Sequence, residues 1–385
     1  MPKRVMFTTS IAGAADGYGG MAWASLQYVL GLCRLGFEVY CVEFTGAREN
    51  RDSLAGEAPP FERSTSARYF REVMDRFDLV HRAALLELSG PGHVGLSHRE
   101  VELLAPDIDL LINGSGALRS KSILGRVRRR LYLDVDPGYT QLWQEQCGVD
   151  MNLSGHDLYV TVGLNLGKPD CPLPTCGIRW ETTLPPVVVE EWQTALFPGD
   201  SYTTVADWYG FNPVQWNGVW YGRKSDEFLR LLDLPRRVSA PLELCLYIRP
   251  DDPDRERLLG NGWRLVAPGD RVGGPQNYRD YVFRSRAEFT AVKHGYAAAK
   301  TGWFSDRSAC YLAAGRPVIV QDTGIGAHLP TGTGLLTFTG VAAAAEAIRR
   351  VESDYARHAA AAAAFAREFL DSDRVLGRLL ELAGL

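Results

Sequence analysis

The chain has 385 residues, 46% hydrophobic and 23% charged, the make-up of a folded globular protein; this excludes a disordered, collagen-like or membrane-bundle chain. At roughly 150 residues per domain the length implies two domains, each able to bury its own core. Forty-two Lys and Arg against 46 Asp and Glu leave a formal charge of -4, which argues against nucleic acid as a partner.

The first strand is expected at 4–9, followed by a glycine-rich loop at 11–20 and a helix at 21–35. In that helix Ala22, Leu26, Val29, Leu30 and Cys33 recur at helical spacing. Gly36 suits the position just past the helix end, and a second strand follows at 37–44. Strand, glycine loop, helix, strand opens a Rossmann-like unit. Residues 46–66 are polar and form an excursion; helices are expected at 66–77 and 97–105 and parallel-type strands at 109–113 and 130–134. Residues 171–186 hold four prolines and should be irregular, and 201–222 are unusually aromatic. Those aromatics line a sugar pocket or form core at the domain junction.

A second alternating series begins near 224: helix 225–232, strand 242–248, helix 251–259, strand 263–266, helix 276–285, strand 287–292, helix 305–314 and strands 317–321 and 335–338. From 341 the chain is helical and alanine-rich. The fold class expected is α/β: two Rossmann-like doubly wound domains facing a cleft, with a C-terminal helix returning to the first. The boundaries expected are 1–222, 223–360 and 361–385.

Seven scattered cysteines, an odd number, indicate a reduced compartment. Cys171 and Cys176 read as two loop thiols, without the second pair a zinc site needs. The N-terminus shows no leader, and no apolar run is long enough to span a bilayer, so a cytoplasmic protein is expected.

The segment 287–326 is richest in chemistry. Ser305 or Asp306 caps a helix whose free N–H groups suit a phosphate, and Arg307 and Ser308 add donors there. Lys293 and Arg249 fall at the ends of two other strands of the same sheet, where ligands of open α/β sheets bind. These groups together describe a pyrophosphate site. Asp134-Val135-Asp136 ends a strand as a DxD, readable as a metal site, a general base, an acceptor contact or a turn cap. His156 is a second candidate base or a surface histidine. The run 126–130 reads as a solvated helix end. No GxGxxG or Walker sequence is present, which excludes a dinucleotide fingerprint and P-loop chemistry.

The stretch SDRSACYLAAGRPVIVQDTGIG, with its Ala313-Ala314-Gly315-Arg316-Pro317-Val318-Ile319 turn and strand, resembles the donor segment of the "glycosyl transferases group 1" enzymes of the GT-B fold. GYGGMAWASLQYVLGLCRLGFEVYCV resembles the glycine-loop unit of their acceptor domain. The resemblance implies a metal-independent glycosyltransferase that uses a nucleoside-diphosphate sugar, needs no cofactor and transfers to an acceptor left open, as is the oligomeric state. It implies Gly19 and Gly20, with Asp134, on the acceptor, and Asp322, Thr323 and Gly324 near the donor sugar. The family's ribose-binding glutamate is replaced by Cys310, which passes that contact to Asp306. The expected catalytic residues are Asp136, His156 and Lys293, with Arg249, Ser305, Asp306, Arg307 and Ser308 holding the donor. A nucleotide-sugar epimerase, a non-catalytic sugar or nucleotide binder and a DNA-modifying glycosyltransferase are the alternatives.

Overall fold

Two parallel sheets account for most of the strands in a computed structural model that describes residues 2–14, 18–46 and 59–385. Residues 15–17 of the glycine loop and most of the 46–66 excursion lie outside the described residues. The first sheet holds β1 (Arg4–Thr8), β2 (Glu38–Thr45), β3 (Ala83–Glu87), β4 (His93–Gly95), β5 (Leu110–Gly114), β6 (Arg130–Asp134), β7 (Leu158–Thr161) and β8 (Glu181–Thr182). Its order is β4-β3-β2-β1-β5-β6-β7-β8, and only β4 runs antiparallel. β1 has β2 on one side and β5 on the other, so the strand order reverses there. Val5, Met6, Phe7 and Thr8 are all buried, the continuous apolar run of a strand covered on both faces. The hairpin of β3 and β4 is absent from the sequence reading, because its strands are short and the alternation in 83–95 is weak.

The second sheet comprises β9 (Tyr202–Asp207), β12 (Leu242–Tyr247), β13 (Arg264–Val266), β14 (Ala287–Thr290), β15 (Val318–Gln321) and β16 (Leu335–Phe338). The order is β13-β12-β9-β14-β15-β16, all parallel, and the order reverses at β9. A separate antiparallel hairpin joins β10 (Val214–Trp216) to β11 (Val219–Tyr221). The expected boundary at 222 is therefore corrected. The strand hidden in the aromatic segment, Tyr202–Asp207, pairs with β12 and β14 and belongs at the centre of the second unit.

The C-terminal return is present. After the helices Val341–Ser353 and Tyr355–Phe365 the chain crosses at Val187, whose N–H donates to the Leu370 carbonyl and whose carbonyl accepts from the Ser372 N–H. Helix Ser372–Leu382 then lies against the first helix, Gly19–Arg34. A Cβ on Gly31 would fall 2.5 Å from a Leu376 methyl, so only glycine lets the two helices approach this closely. The arginine run follows the short helix Lys121–Leu124 with Arg126 and Arg128 exposed, and it is also tied to the fold: Arg128 pairs with Asp109 at 2.8 Å, Arg130 with Asp157 at 2.8 Å, and Arg129 donates to the Ala383 carbonyl of the returning helix.

The first helix also packs on the second unit. Trp23 donates its Nε1–H to the Pro275 carbonyl at 2.8 Å and meets Trp192 edge-on at 5.0 Å, which in turn meets Tyr278 at 6.2 Å. Each such aromatic pair adds roughly 0.5–1.5 kcal/mol beyond its burial. All seven cysteines are free thiols. Among the described residues no helix is long and apolar enough to cross a membrane.

Candidate functional site

The loops leaving the C-terminal ends of the two sheets meet. Tyr18, just after the β1 loop, stacks on Tyr247 at the end of β12 with ring centroids 4.0 Å apart. Beyond β6, Asp136 reaches the second unit and accepts from Lys293 Nζ at 2.8 Å and from the Tyr296 hydroxyl. Lys293 Nζ lies 3.3 Å from the centre of the Phe211 ring. Two of the three expected catalytic residues, 157 positions apart, are thus brought into one ion pair between the units.

Asp134, the other carboxylate of the DxD, points inward. It is fully buried and accepts from Thr140 Oγ1, Gln141 Nε2 and Thr161 Oγ1, and its Oδ1 also accepts from the Asp136 N–H at 3.1 Å. Burial pushes its pKa up, against these hydrogen bonds. Its role is to fix the loop that carries Asp136, which replaces the expected acceptor contact. His156 is likewise withdrawn into the first unit. Its Nε2 meets Asn113 Nδ2 at 3.1 Å, its Nδ1 faces the Leu153 carbonyl, and Tyr132 packs edge-on against its ring. Burial pushes its pKa below the ordinary value, and with both ring nitrogens engaged inside the first unit it is a core histidine, which corrects its placement as a base. Gly19 and Gly20 face the second unit instead of an acceptor. A Cβ on Gly19 would run into the Gly274 carbonyl, and one on Gly20 would fall 2.8 Å from the Tyr278 ring.

The helix Asp306–Ala313 is capped by Ser305, whose Oγ accepts from the Arg307 N–H at 3.2 Å. Arg307 turns away from that helix end. Its side chain is 12% exposed and donates through Nε to Glu288, through Nη1 to the Val205 carbonyl and through Nη2 to Thr290 Oγ1. Its donors hold the sheet together, which corrects its placement on the donor. Ser308 Oγ is buried without a partner among the described residues. Asp306 lies near the contact with the first helix, where its charge adds to burial in raising the Tyr28 pKa. Cys310 is covered by Gln27 of that helix, whose Nε2 donates to Sγ at 3.7 Å. Asp322 accepts from the Gly324 N–H at 2.9 Å in a tight turn, and Gly324 takes φ +86°. Thr323 is buried and donates to the Trp303 carbonyl at 2.7 Å. Thr323 and Arg307 are thus fully engaged by the fold.

Arg249 does stay at the sheet end. Its side chain is 69% exposed, reaches Asp252 only at 3.8 Å, and stands over the Tyr209 ring. Beside it are residues the sequence reading missed. Arg223 and Lys224 head the helix Lys224–Arg230. Lys224 is only 9% exposed and makes no hydrogen bond or ion pair with the described residues. Burial, reinforced by Arg307 and Lys293, holds its pKa well below the ordinary lysine value, and the more weakly felt Glu288 and Asp207 do not restore it. Two cations at a helix N-terminus oppose the helix dipole, and that was the signal available in the sequence. The turn before them is held by a polar network. The Gly222 N–H donates to His294 Nδ1 at 3.0 Å, the Tyr139 hydroxyl of the first unit donates to the Gly222 carbonyl at 2.6 Å, and buried Glu227 accepts from Gln321 Nε2.

Four cationic side chains from three elements, Arg223, Lys224, Arg249 and Lys293, therefore stand at the end of the second sheet: Lys293 meets Asp136 of the first unit, Arg223 and Arg249 share the Tyr209 ring, and Lys224 lies within the influence of Lys293. Such an arrangement binds a compact polyanion. Among the described residues no three His, Cys, Asp or Glu side chains gather as a metal site.

Sequence comparison finds no matching family model and no curated relative. Solved structures resemble the whole chain. Anabaena Alr3699/HepE in complex with UDP and glucose has a TM-score of 0.61 at 12% identity, with 100% of each chain covered. An alpha-glucosyltransferase in complex with UDP and a 13-mer DNA has a TM-score of 0.60 at 12% identity, again with 100% of each covered. AviGT4, a glycosyltransferase involved in avilamycin A biosynthesis, has a TM-score of 0.54 at 13% identity over 100% of this chain and 97% of that one. Two doubly wound units meeting over their strand ends, a last helix returned to the first unit and likeness over the full length together establish that the chain has the GT-B fold.

Proposed function

We propose that the protein is a metal-independent glycosyltransferase that moves a sugar from a nucleoside-diphosphate sugar to an acceptor hydroxyl. The observation that carries this reading is Lys224: a lysine nine-tenths buried, unpaired among the described residues and crowded by Arg307 and Lys293. A buried cation without a partner is costly, and a dianionic diphosphate is the ligand that would neutralise it together with Lys293, Arg223 and Arg249. The likeness to structures solved with UDP supports uridine as the base.

In this reading the acceptor oxygen bonds to the anomeric carbon as that carbon's bond to the diphosphate breaks. The four cations stabilise charge growing on the leaving group, the term that contributes most in such sites. Asp136, oriented by Lys293 and Tyr296 and set by Asp134, takes the acceptor proton. Asp136→Asn is expected to lower kcat by about a hundred-fold or more, the usual worth of a general base, with donor KM nearly unchanged. An unaltered kcat would remove Asp136 from the chemistry.

The test of the reading as a whole is a thermal-shift and turnover series with UDP, GDP, dTDP, CMP, NAD and ATP, with and without EDTA. A selective rise in Tm with one nucleoside diphosphate, insensitive to EDTA, is expected. No response to any nucleotide sinks the proposal, and a response that needs manganese removes metal independence. Conversion of donor without acceptor would favour an epimerase, the activity named for a putative UDP-N-acetylglucosamine 2-epimerase from Listeria monocytogenes of similar fold (TM-score 0.50, 11% identity, 99% and 95% of the two chains covered). A nucleic-acid acceptor is disfavoured by the charge of -4, and salt-sensitive retention on DNA would reverse that.

A further inference from the structure

Tyr209 lies two residues beyond β9 and is fixed by its own backbone, since its N–H donates to Asp207 Oδ1 at 2.9 Å. Two guanidinium groups stand over its ring: Arg223 Cζ is 5.6 Å from the centroid and Arg249 Cζ 5.5 Å. They come from different elements, one heading the helix Lys224–Arg230 and the other following β12. Neither guanidinium is held in a close fork by a carboxylate: Arg249 has only a long ion pair with Asp252, at 3.8 Å. Arg223 Nη2 reaches only the Asn212 amide oxygen, at 3.4 Å, while its Nε is buried without a partner among the described residues. The Tyr209 hydroxyl is also buried without a partner, so the aromatic face rather than the hydroxyl is the part in use.

A carboxylate that held these arginines would consume their N–H forks and their charge. An aromatic face holds a guanidinium by its quadrupole and leaves both free for a ligand. We propose that Tyr209 is a positioning residue of the donor site, whose ring holds Arg223 and Arg249 beside Lys224 with their forks open, so that the two forks close on the diphosphate. This rests on the nucleoside-diphosphate reading given above.

The experiment is calorimetric titration with UDP at several salt concentrations for the wild type, Tyr209→Phe, Tyr209→Leu, Arg249→Met and the Tyr209→Leu/Arg249→Met double variant, with donor KM and kcat for each. Tyr209→Phe is expected to bind within about two-fold of wild type. Tyr209→Leu should bind about ten-fold weaker with a shallower salt dependence and a raised KM, while kcat stays within about three-fold. The double variant should lose less than the sum of the two single losses. A Tyr209→Leu protein with wild-type affinity and salt slope overturns the proposal, as does Tyr209→Phe binding as weakly as Tyr209→Leu. Should Tyr209→Leu not fold, Tyr209→Trp, which retains an aromatic face, and Tyr209→Met, which does not, take its place; equal UDP affinities for those two overturn it. A wild type that binds no nucleoside diphosphate sinks the glycosyltransferase reading itself, which is distinct from a wild type that binds and a Tyr209 series that does not respond.

Discussion

Lys224→Met is expected to weaken nucleoside-diphosphate binding by about a hundred-fold while raising the melting temperature of the ligand-free protein. The two effects have opposite signs for one reason. In the free protein the side chain is nine-tenths buried beside Arg307 and Lys293 and makes no hydrogen bond or ion pair with the described residues, so removing it takes away a cost. In the complex the same ammonium would gain charge-assisted hydrogen bonds worth about 1.5–3 kcal/mol, of which a factor of a hundred is about 2.7 kcal/mol. A stabilisation of about 1 kcal/mol corresponds to roughly 2–4 °C for a domain of this size. The pH dependence follows with a definite sign. The folded-state pKa lies below the ordinary lysine value, so between the two the unfolded chain binds more protons. Stability of the free protein should therefore rise with pH through that window, and the rise should be missing in Lys224→Met. A variant that binds UDP as wild type does, or that is less stable than wild type without ligand, would show that Lys224 is an ordinary structural lysine.

Much of the architecture was legible because buried parallel strands are apolar on both faces and helices mark their own ends. β1, β2, β12 and β15 fall within two residues of where the sequence places them at each end. What was lost shares one cause, which is that local pattern does not name a distant partner. β9 was masked by Trp208, Tyr209 and Phe211, aromatics that read as a sugar pocket or as core at the domain junction, although Tyr202, Thr203 and Thr204 are ordinary buried strand residues. Gly19 and Gly20 announced a close approach, but whether to a ligand or to the carbonyl of Gly274 is decided by the second unit. Asp134 and Asp136 are two residues apart and look alike in sequence. The strand ends at Asp134, which turns into a cage of three side-chain donors, while Asp136 lies in the loop beyond it and reaches across to Lys293. Lys293 and Arg249 do lie just beyond strand ends, but their partners were not legible: Lys293 pairs with Asp136 of the other unit and Arg249 at long range with Asp252. Arg307 looked the same at a helix head and was misread, because its partner Glu288 lies on the neighbouring strand.

That misreading leads to the second large effect. Arg307→Met is expected to destabilise the protein by about 3–5 kcal/mol, because it leaves the Glu288 carboxylate buried without its counter-charge. Glu288 is 0% exposed, its Oε2 already has no partner among the described residues, and only Oε1 is met by the arginine. The lost donors to the Val205 carbonyl and Thr290 would add to the cost, since they tie β9 to β14 where the second sheet reverses its order. At roughly 2–4 °C per kcal/mol the melting temperature should fall by on the order of 10 °C. Removing the partner as well separates this from a donor-site effect. In Arg307→Met/Glu288→Met no charge is left buried, and most of the lost stability should return, as it does when both members of a buried pair become apolar. If Arg307 instead served the diphosphate, the single variant would melt near wild type and lose only UDP affinity, and the double variant would rescue nothing. Thermal melts of the three proteins without ligand, followed by UDP titration of whichever remain folded, decide between a sheet-holding pair and a phosphate-binding arginine.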